Sequence, residues 1–156
     1  MGTRSTYRVI ETGQKDYVNG EWIDKPWKQA IMLMYFQYDG YPDGRPVEVA
    51  EFLNSGEVVN GISLAEEHKL IFNGAGCLAA QLVDKFKEGP GGTYLHPVSH
   101  RGKCGEDYSY DILVGSDTKK ITLVAWDIGW GKRKNKKLFE GSPAEYLKWV
   151  ENYGKD

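Results

Sequence analysis

The sequence predicts an α+β fold: a mainly antiparallel sheet with about three helices packed on it. Three observations lead there. Apolar runs of strand length stand in groups before and after the helical segments and do not alternate with them, unlike a doubly wound fold. Two internal segments carry apolar residues at helical spacing, and a third opens on a full helix-start signal. Asn-Gly and Gly-Ser-Asp turns separate neighbouring runs as hairpins do. The 156 residues suit one domain over 1–156, and 40% hydrophobic with 27% charged residues provide a core and a solvated surface.

Residues 3–11 read as a first strand, since Tyr7, Val9 and Ile10 favour extended backbone. Residues 12–28 carry Asn19-Gly20, Trp22, Ile23, Pro26 and Trp27, and read as a hairpin or ordered-loop insertion. Residues 29–38 are apolar on both faces and read as a central strand. Asp39 to Pro46 holds two glycines and two prolines, so it is a loop. Pro46 suits a first helical position; Val49, Ala50, Phe52 and Leu53 line one face of the helix, and Gly56 is placed to end it. Residues 57–72 show no clear period. Leu78, Leu82, Val83 and Phe86 mark a second helix up to Lys87. Strands follow at about Thr93–His96, Asp107–Val114 and Lys119–Ile128, with a further short one at Lys137–Phe139. A basic hairpin tip lies at 129–137. Ser142, Pro143 and Glu145 form a capping-box start for a last helix with Tyr146, Leu147, Val150 and Tyr153 as its stripe.

Charge and hydropathy narrow the function classes. The longest apolar run, Ala30 to Phe36, is far below the ~20 residues of a membrane span. No apolar leader follows Met1-Gly2-Thr3-Arg4-Ser5, so a cytoplasmic protein with two reduced thiols, Cys77 and Cys104, is expected. The net charge of −2 argues against a general nucleic-acid binder. It conceals an uneven spread: residues 119–137 hold seven basic residues and one acid, Asp127, which makes that segment +6 and the rest −8. A solvated hairpin tip is the favoured reading of that run, because no aromatic residue sits inside its basic core.

The chain opens on Gly2-Thr3-Arg4-Ser5 and carries Gln37-Tyr38-Asp39-Gly40-Tyr41-Pro42 with Gly44. Glu51-Phe52-Leu53, Val59 to Ser63, Asn73-Gly74 with Gly76 to Leu82, Gly91-Gly92 with Tyr94, and Gly105-Glu106 with Tyr108 and Tyr110 follow. In these motifs it resembles a family of short, mostly uncharacterised phage and bacterial proteins. Residues 12–28 are longer than the pattern, and 127–137 look like an addition. The resemblance implies a phage or prophage context and supports the fold; it implies no enzymatic activity.

Several residues are candidates for a ligand site. The loop after the central strand offers Tyr38, Asp39 and Tyr41, with glycines that let a ligand approach the backbone. Asn73 to Gly76 opens a helix whose free N–H groups can hold an anion; Gln81 further along that helix and Asn60 in the Asn60-Gly61 turn are polar candidates as well. Arg4 suits a carboxylate or phosphate, with Glu106 or Asp39 as alternative ion-pair partners. Tyr94 adds a flat face. The structural alternative for each is a turn, a packing glycine or an internal ion pair. Cys77 at a helix start, with His96 or His100 as base, gives a rival reading as a cysteine-dependent hydrolase or transferase. A buried small residue is the favoured reading of Cys77. His96, His100 and Cys104 match no usual zinc spacing, and neither a metal nor a cofactor is expected.

Taken together these features suggest a non-catalytic binder of a small polar ligand, with a nucleotide the first guess. If the phage context holds, the ligand could be a nucleotide-derived host immune signal that the protein sequesters. A homo-oligomer is expected from the aromatic content, and an inhibitor that binds a host protein is the third reading.

Overall fold

The computed structural model describes residues 2–61 and 70–154. It has the expected α+β architecture. Among these residues three helices pack on one face of a six-stranded sheet. Its strands are β1 (Ser5–Val18), β2 (Glu21–Phe36), β5 (Thr93–His96), β6 (Tyr108–Gly115), β7 (Ile121–Asp127) and β8 (Lys136–Gly141), in the spatial order β5-β2-β1-β6-β7-β8. All neighbours are antiparallel except β1 and β6, which run parallel. The helices are α1 (Arg45–Asn54), α2 (Gly74–Phe86) and α3 (Pro143–Val150). Two short strands, β3 (Gly56–Val59) and β4 (Leu70–Asn73), form a separate parallel pair between α1 and α2.

The stretch read as a hairpin or loop insertion is a continuation of the first two strands. Asn19 (φ 51°) and Gly20 (φ 82°) form the turn, with the positive φ at both places that a type I′ hairpin turn needs. β1 and β2 therefore make a long arm. Past Thr12, β1 has only β2 beside it, because β6 ends at Gly115. Pro26 sits where the register shifts between Gly13 and Lys15, a place where its missing N–H breaks no ladder bond. β2 is flanked on both sides only over Leu33–Phe36, so the expected central strand is central at one end alone.

Two boundaries differ from the sequence reading. α1 ends at Asn54, and Gly56 instead opens β3, where a Cβ would lie 2.3 Å from the Phe72 ring. α2 begins at Gly74, so Gly74 and Gly76 lie in its first turn. β3 and β4 were not expected; each is only four residues long, too short for a period-2 signal. Of the Val59–Ser63 motif, Ile62 and Ser63 lie outside the described residues, as do residues 64–69 of the stretch without a clear period.

The core lies between the sheet and the helices. Tyr7, Val9, Met34, Phe36, Tyr110 and Ile112 from the sheet meet Val49, Leu53, Leu78, Leu82 and Tyr146 from the helices. Tyr7 stacks on Tyr110 at 5.1 Å and meets Phe36 edge-on, the two arrangements that ring quadrupoles favour. The opposite face carries Thr6 and Arg8 of β1, Ser109 and Asp111 of β6, and Leu33 and Tyr35 of β2. Arg8 holds Asp111 with two parallel bonds of 2.9 Å. Such a fork fixes the parallel register with directional bonds.

Candidate functional site

The candidate ligand residues divide between the two ends of the sheet. Arg4, Tyr38, Asp39, Tyr41, Tyr94 and Glu106 gather where β1 and β6 begin and β2 ends. Asn60, Asn73, Gly76 and Gln81 belong to the other end or to α2. β6 spans eight residues between them, about 23 Å at the usual rise. One ligand of nucleotide size therefore cannot use both groups.

At the Ser5 end, several candidates have structural duties. The Gly40 N–H donates to the Thr3 carbonyl at 2.9 Å, and Tyr110 Oη donates to the Gly40 carbonyl at 2.8 Å. Asp39 (φ 59°) presents its carbonyl to the Arg45 N–H at 2.7 Å, and Tyr146 Oη donates to the Pro42 carbonyl at 2.6 Å. The 39–44 loop is thus fastened to the core, while the rings of Tyr38 and Tyr41 remain exposed. Glu106 is 1% exposed, and its carboxylate accepts from Thr6 Oγ1, the Gly102 N–H and the Cys104 N–H at 3.0, 3.0 and 3.1 Å. It anchors the 97–106 segment and does not face a ligand. Arg101, on the same segment, donates to Ser109 Oγ and lies over the Trp126 ring. Burial lowers the Arg101 pKa from its ordinary value.

Beside this fastened loop lies an open cleft made of two adjoining hollows of about 260 and 220 Å³. Both are lined by Asp107 and Trp130. One adds Tyr41, Tyr108, Asp127 and Arg133, and the other adds Arg4. The Tyr41 and Tyr108 rings are 6.0 Å apart and tilted, and Trp130 is 57% exposed. Asp107 Oδ2 accepts from the Arg4 N–H at 3.2 Å. Arg133 Nη2 donates to Asp127 Oδ1 at 3.0 Å and to the Ile128 carbonyl at 2.9 Å. Burial, with Tyr153 alongside, raises the Tyr108 pKa well above the phenol range, so the hydroxyl stays protonated.

No protein-family model, curated protein or solved structure matches this chain. The reading of the site rests on its geometry.

Of the residues that line this cleft, Asp107, Tyr108, Asp127, Trp130 and Arg133 were not among the sequence-based ligand candidates. A signal was present: Trp130 stands two residues before the basic run, so the tip is aromatic as well as basic. The β7–β8 turn carries that tip to the same end as Arg4 and Tyr41, which only the strand order reveals.

At the far end, Asn73 uses its Oδ1 to accept from the Gly61 N–H at 2.8 Å and does not cap α2. Gly74 and Asn60 line a hollow of about 210 Å³ with Glu11, Ser116 and Lys119. Gln81 Nε2 donates to the Ile71 carbonyl and to Cys77 Sγ, so it ties α2 to β4. Back at the Ser5 end, Tyr94 lies on the edge strand with Lys87 Nζ over its ring at 5.4 Å.

The thiol and imidazole groups do not converge. Cys77 belongs to α2 on the helix side of the sheet. His96 meets Tyr35, whose side chain is on the opposite face, and His100 lies 6.3 Å from His96. The sheet stands between Cys77 and both histidines. Cys104 Sγ donates to the His100 carbonyl, and burial raises its pKa from the ordinary value. Cys77 and Cys104 are unpaired thiols. Among the described residues no group of three His, Cys, Asp or Glu side chains is placed to hold a metal.

Proposed function

We propose that the protein binds, without transforming it, a small ligand that joins a flat ring to an anionic group, and that a nucleotide is its representative. The observation that carries this reading is the cleft at the Ser5 end, where Tyr41, Tyr108 and Trp130 meet Arg4 and Arg133. An exposed indole and two phenols offer stacking surfaces for a base. The guanidiniums match phosphate geometry, and Asp107 and Asp127 accept from base amino groups or sugar hydroxyls. The resemblance to phage and bacterial proteins gives this binding a role: holding a nucleotide-derived host immune signal away from its receptor. Small-ligand binding needs only the cleft; the sequestering role needs the phage context as well.

The test is release. The purified protein is exposed to bacterial extract, washed and heated, and the liberated small molecules are identified by mass spectrometry. An intact nucleotide, lost from a Trp130→Ala or Arg133→Ala variant and retained by Cys77→Ala, supports sequestration. A processed product that disappears in Cys77→Ala would make the protein an enzyme. A stoichiometric protein partner with no small molecule would make it an inhibitor.

A further inference from the structure

The two ends of the sheet carry hairpin tips of opposite charge. From Lys15 to Asp24 the arm tip holds three acids, Asp16, Glu21 and Asp24, and one base, Lys15, which stands across from Asp24. From Trp130 to Lys137 the β7–β8 tip holds five bases and no acid. Arg133 is engaged with Asp127 and Lys137 with Glu140, whereas Lys132, Lys134 and Lys136 have no acidic partner among the described residues. The arm tip also exposes apolar surface. Tyr17 and Trp22 are 58% and 70% exposed with rings 5.2 Å apart, and Ile23 is 40% exposed. An isolated two-stranded ribbon is marginal in water, and this one extends six residues past the end of β6, about 20 Å.

We infer that the acidic, aromatic arm tip docks on the basic β7–β8 tip of a second copy of this chain. The occupant is a second copy because the two tips complement each other in charge and sit at opposite ends of one sheet. Aromatic area on the arm supplies burial, and the opposed charges supply orientation and suppress tip-to-like-tip contact. A contact between different ends is heterologous, so copies add head to tail and form rings or growing chains. Trp130 and Arg133 of the basic tip also line the cleft, so assembly is measured with no nucleotide present.

Sedimentation velocity on the full chain tests this. The unmodified protein should assemble at micromolar concentration in low salt and dissociate as salt rises, since the contact is exposed to screening. A Lys132→Glu/Lys134→Glu/Lys136→Glu variant should be monomeric, and so should Asp16→Lys/Glu21→Lys/Asp24→Lys. Mixing the two variants should restore assembly, because each then offers the other a complementary end. Restoration also shows that both variants fold. An unmodified protein that stays monomeric at 100-fold higher concentration overturns the inference. So do single-end variants that still assemble, or a mixture that does not.

Discussion

The two ends of the sheet use the same residue types for opposite purposes. At the Ser5 end, loops rich in Gly, Tyr and Asp are fastened: Gly40, Pro42 and Asp39 each give a backbone carbonyl to a side chain or N–H from another element. Glu106 gathers three donors in a site 1% exposed. At the arm end, Gly20 serves a turn in the open, and the exposed rings of Tyr17 and Trp22 lie 5.2 Å apart, tilted to each other. Fastening leaves a rigid loop from which Tyr41 presents a fixed face, as a site for one small ligand requires. The arm keeps its apolar side chains exposed, as a docking element does. The difference teaches that a glycine-aromatic cluster is a site only where buried hydrogen bonds hold it still.

The largest effect should come from removing the fastening. Glu106→Ala leaves Thr6 Oγ1 and the Gly102 and Cys104 N–H groups without their acceptor. It should cost about 3 kcal/mol or more, as loss of a buried hydrogen-bonded charge does. Urea unfolding measures this, and a cost below about 1 kcal/mol would break the comparison. Next comes Gly40→Ala. Its Cβ would lie 2.9 Å from the Arg4 backbone, the Thr3 carbonyl oxygen and Ser5 Cβ, so the loop or β1 must shift. About 1–3 kcal/mol is expected from such overpacking, with weaker nucleotide binding because Tyr41 moves with the loop.

Much of this fold was legible in the sequence, and the reasons are local. Ser142-Pro143-Ala144-Glu145 announced α3, and both capping-box bonds are present. The alternation in Tyr108 to Val114 announced β6, and Thr93–His96 has the expected bounds. The arm was half legible: Asn19-Gly20 marked its turn, but Pro26 and the shift at Gly13 hid the continuity of the strands. The site was less legible, because its parts meet only through strand order. Glu106 read as a ligand residue since an isolated acid in a loop carries no sign of burial. Trp130 and Arg133 read as a solvated tip because the hairpin was legible but its place beside Arg4 follows only from the strand order. Asn73 and Tyr41 both border glycines, yet they lie at opposite ends of a sheet that a linear reading cannot measure.

The far end is not loose throughout, and α3 sharpens the comparison. Ser142 Oγ accepts from the Glu145 N–H at 3.1 Å, and Glu145 Oε1 accepts from the Ser142 N–H at 3.0 Å. Ser142→Ala should cost about 1 kcal/mol at neutral pH. The Ser142 backbone and hydroxyl hold the Glu145 carboxyl below its ordinary pKa of 4.5. A carboxyl depressed on folding stabilises above its unfolded pKa and loses that effect as pH falls through the folded value. The stability gap between the unmodified protein and Glu145→Gln should therefore be full at pH 7 and shrink as the pH drops below 4.5. A gap that is constant from pH 7 to pH 3 would show that the box contributes no charge-dependent stability.

The smallest effect should belong to the arm. Trp22→Ala removes the most exposed large apolar side chain noted in the described residues, 70% exposed, whose ring partner Tyr17 is itself 58% exposed. Core tryptophans cost about 3–5 kcal/mol on truncation because they leave a cavity, whereas surface positions usually change stability by less than ~0.5 kcal/mol. For dilute, monomeric protein the urea midpoint of Trp22→Ala should match that of the unmodified chain. A cost of about 2 kcal/mol at dilution would mean that the indole is packed within its own chain, and the contrast between a fastened end and a free end would fail. A cost that grows with protein concentration would instead place the indole in a contact between copies, because only stabilisation by association depends on concentration.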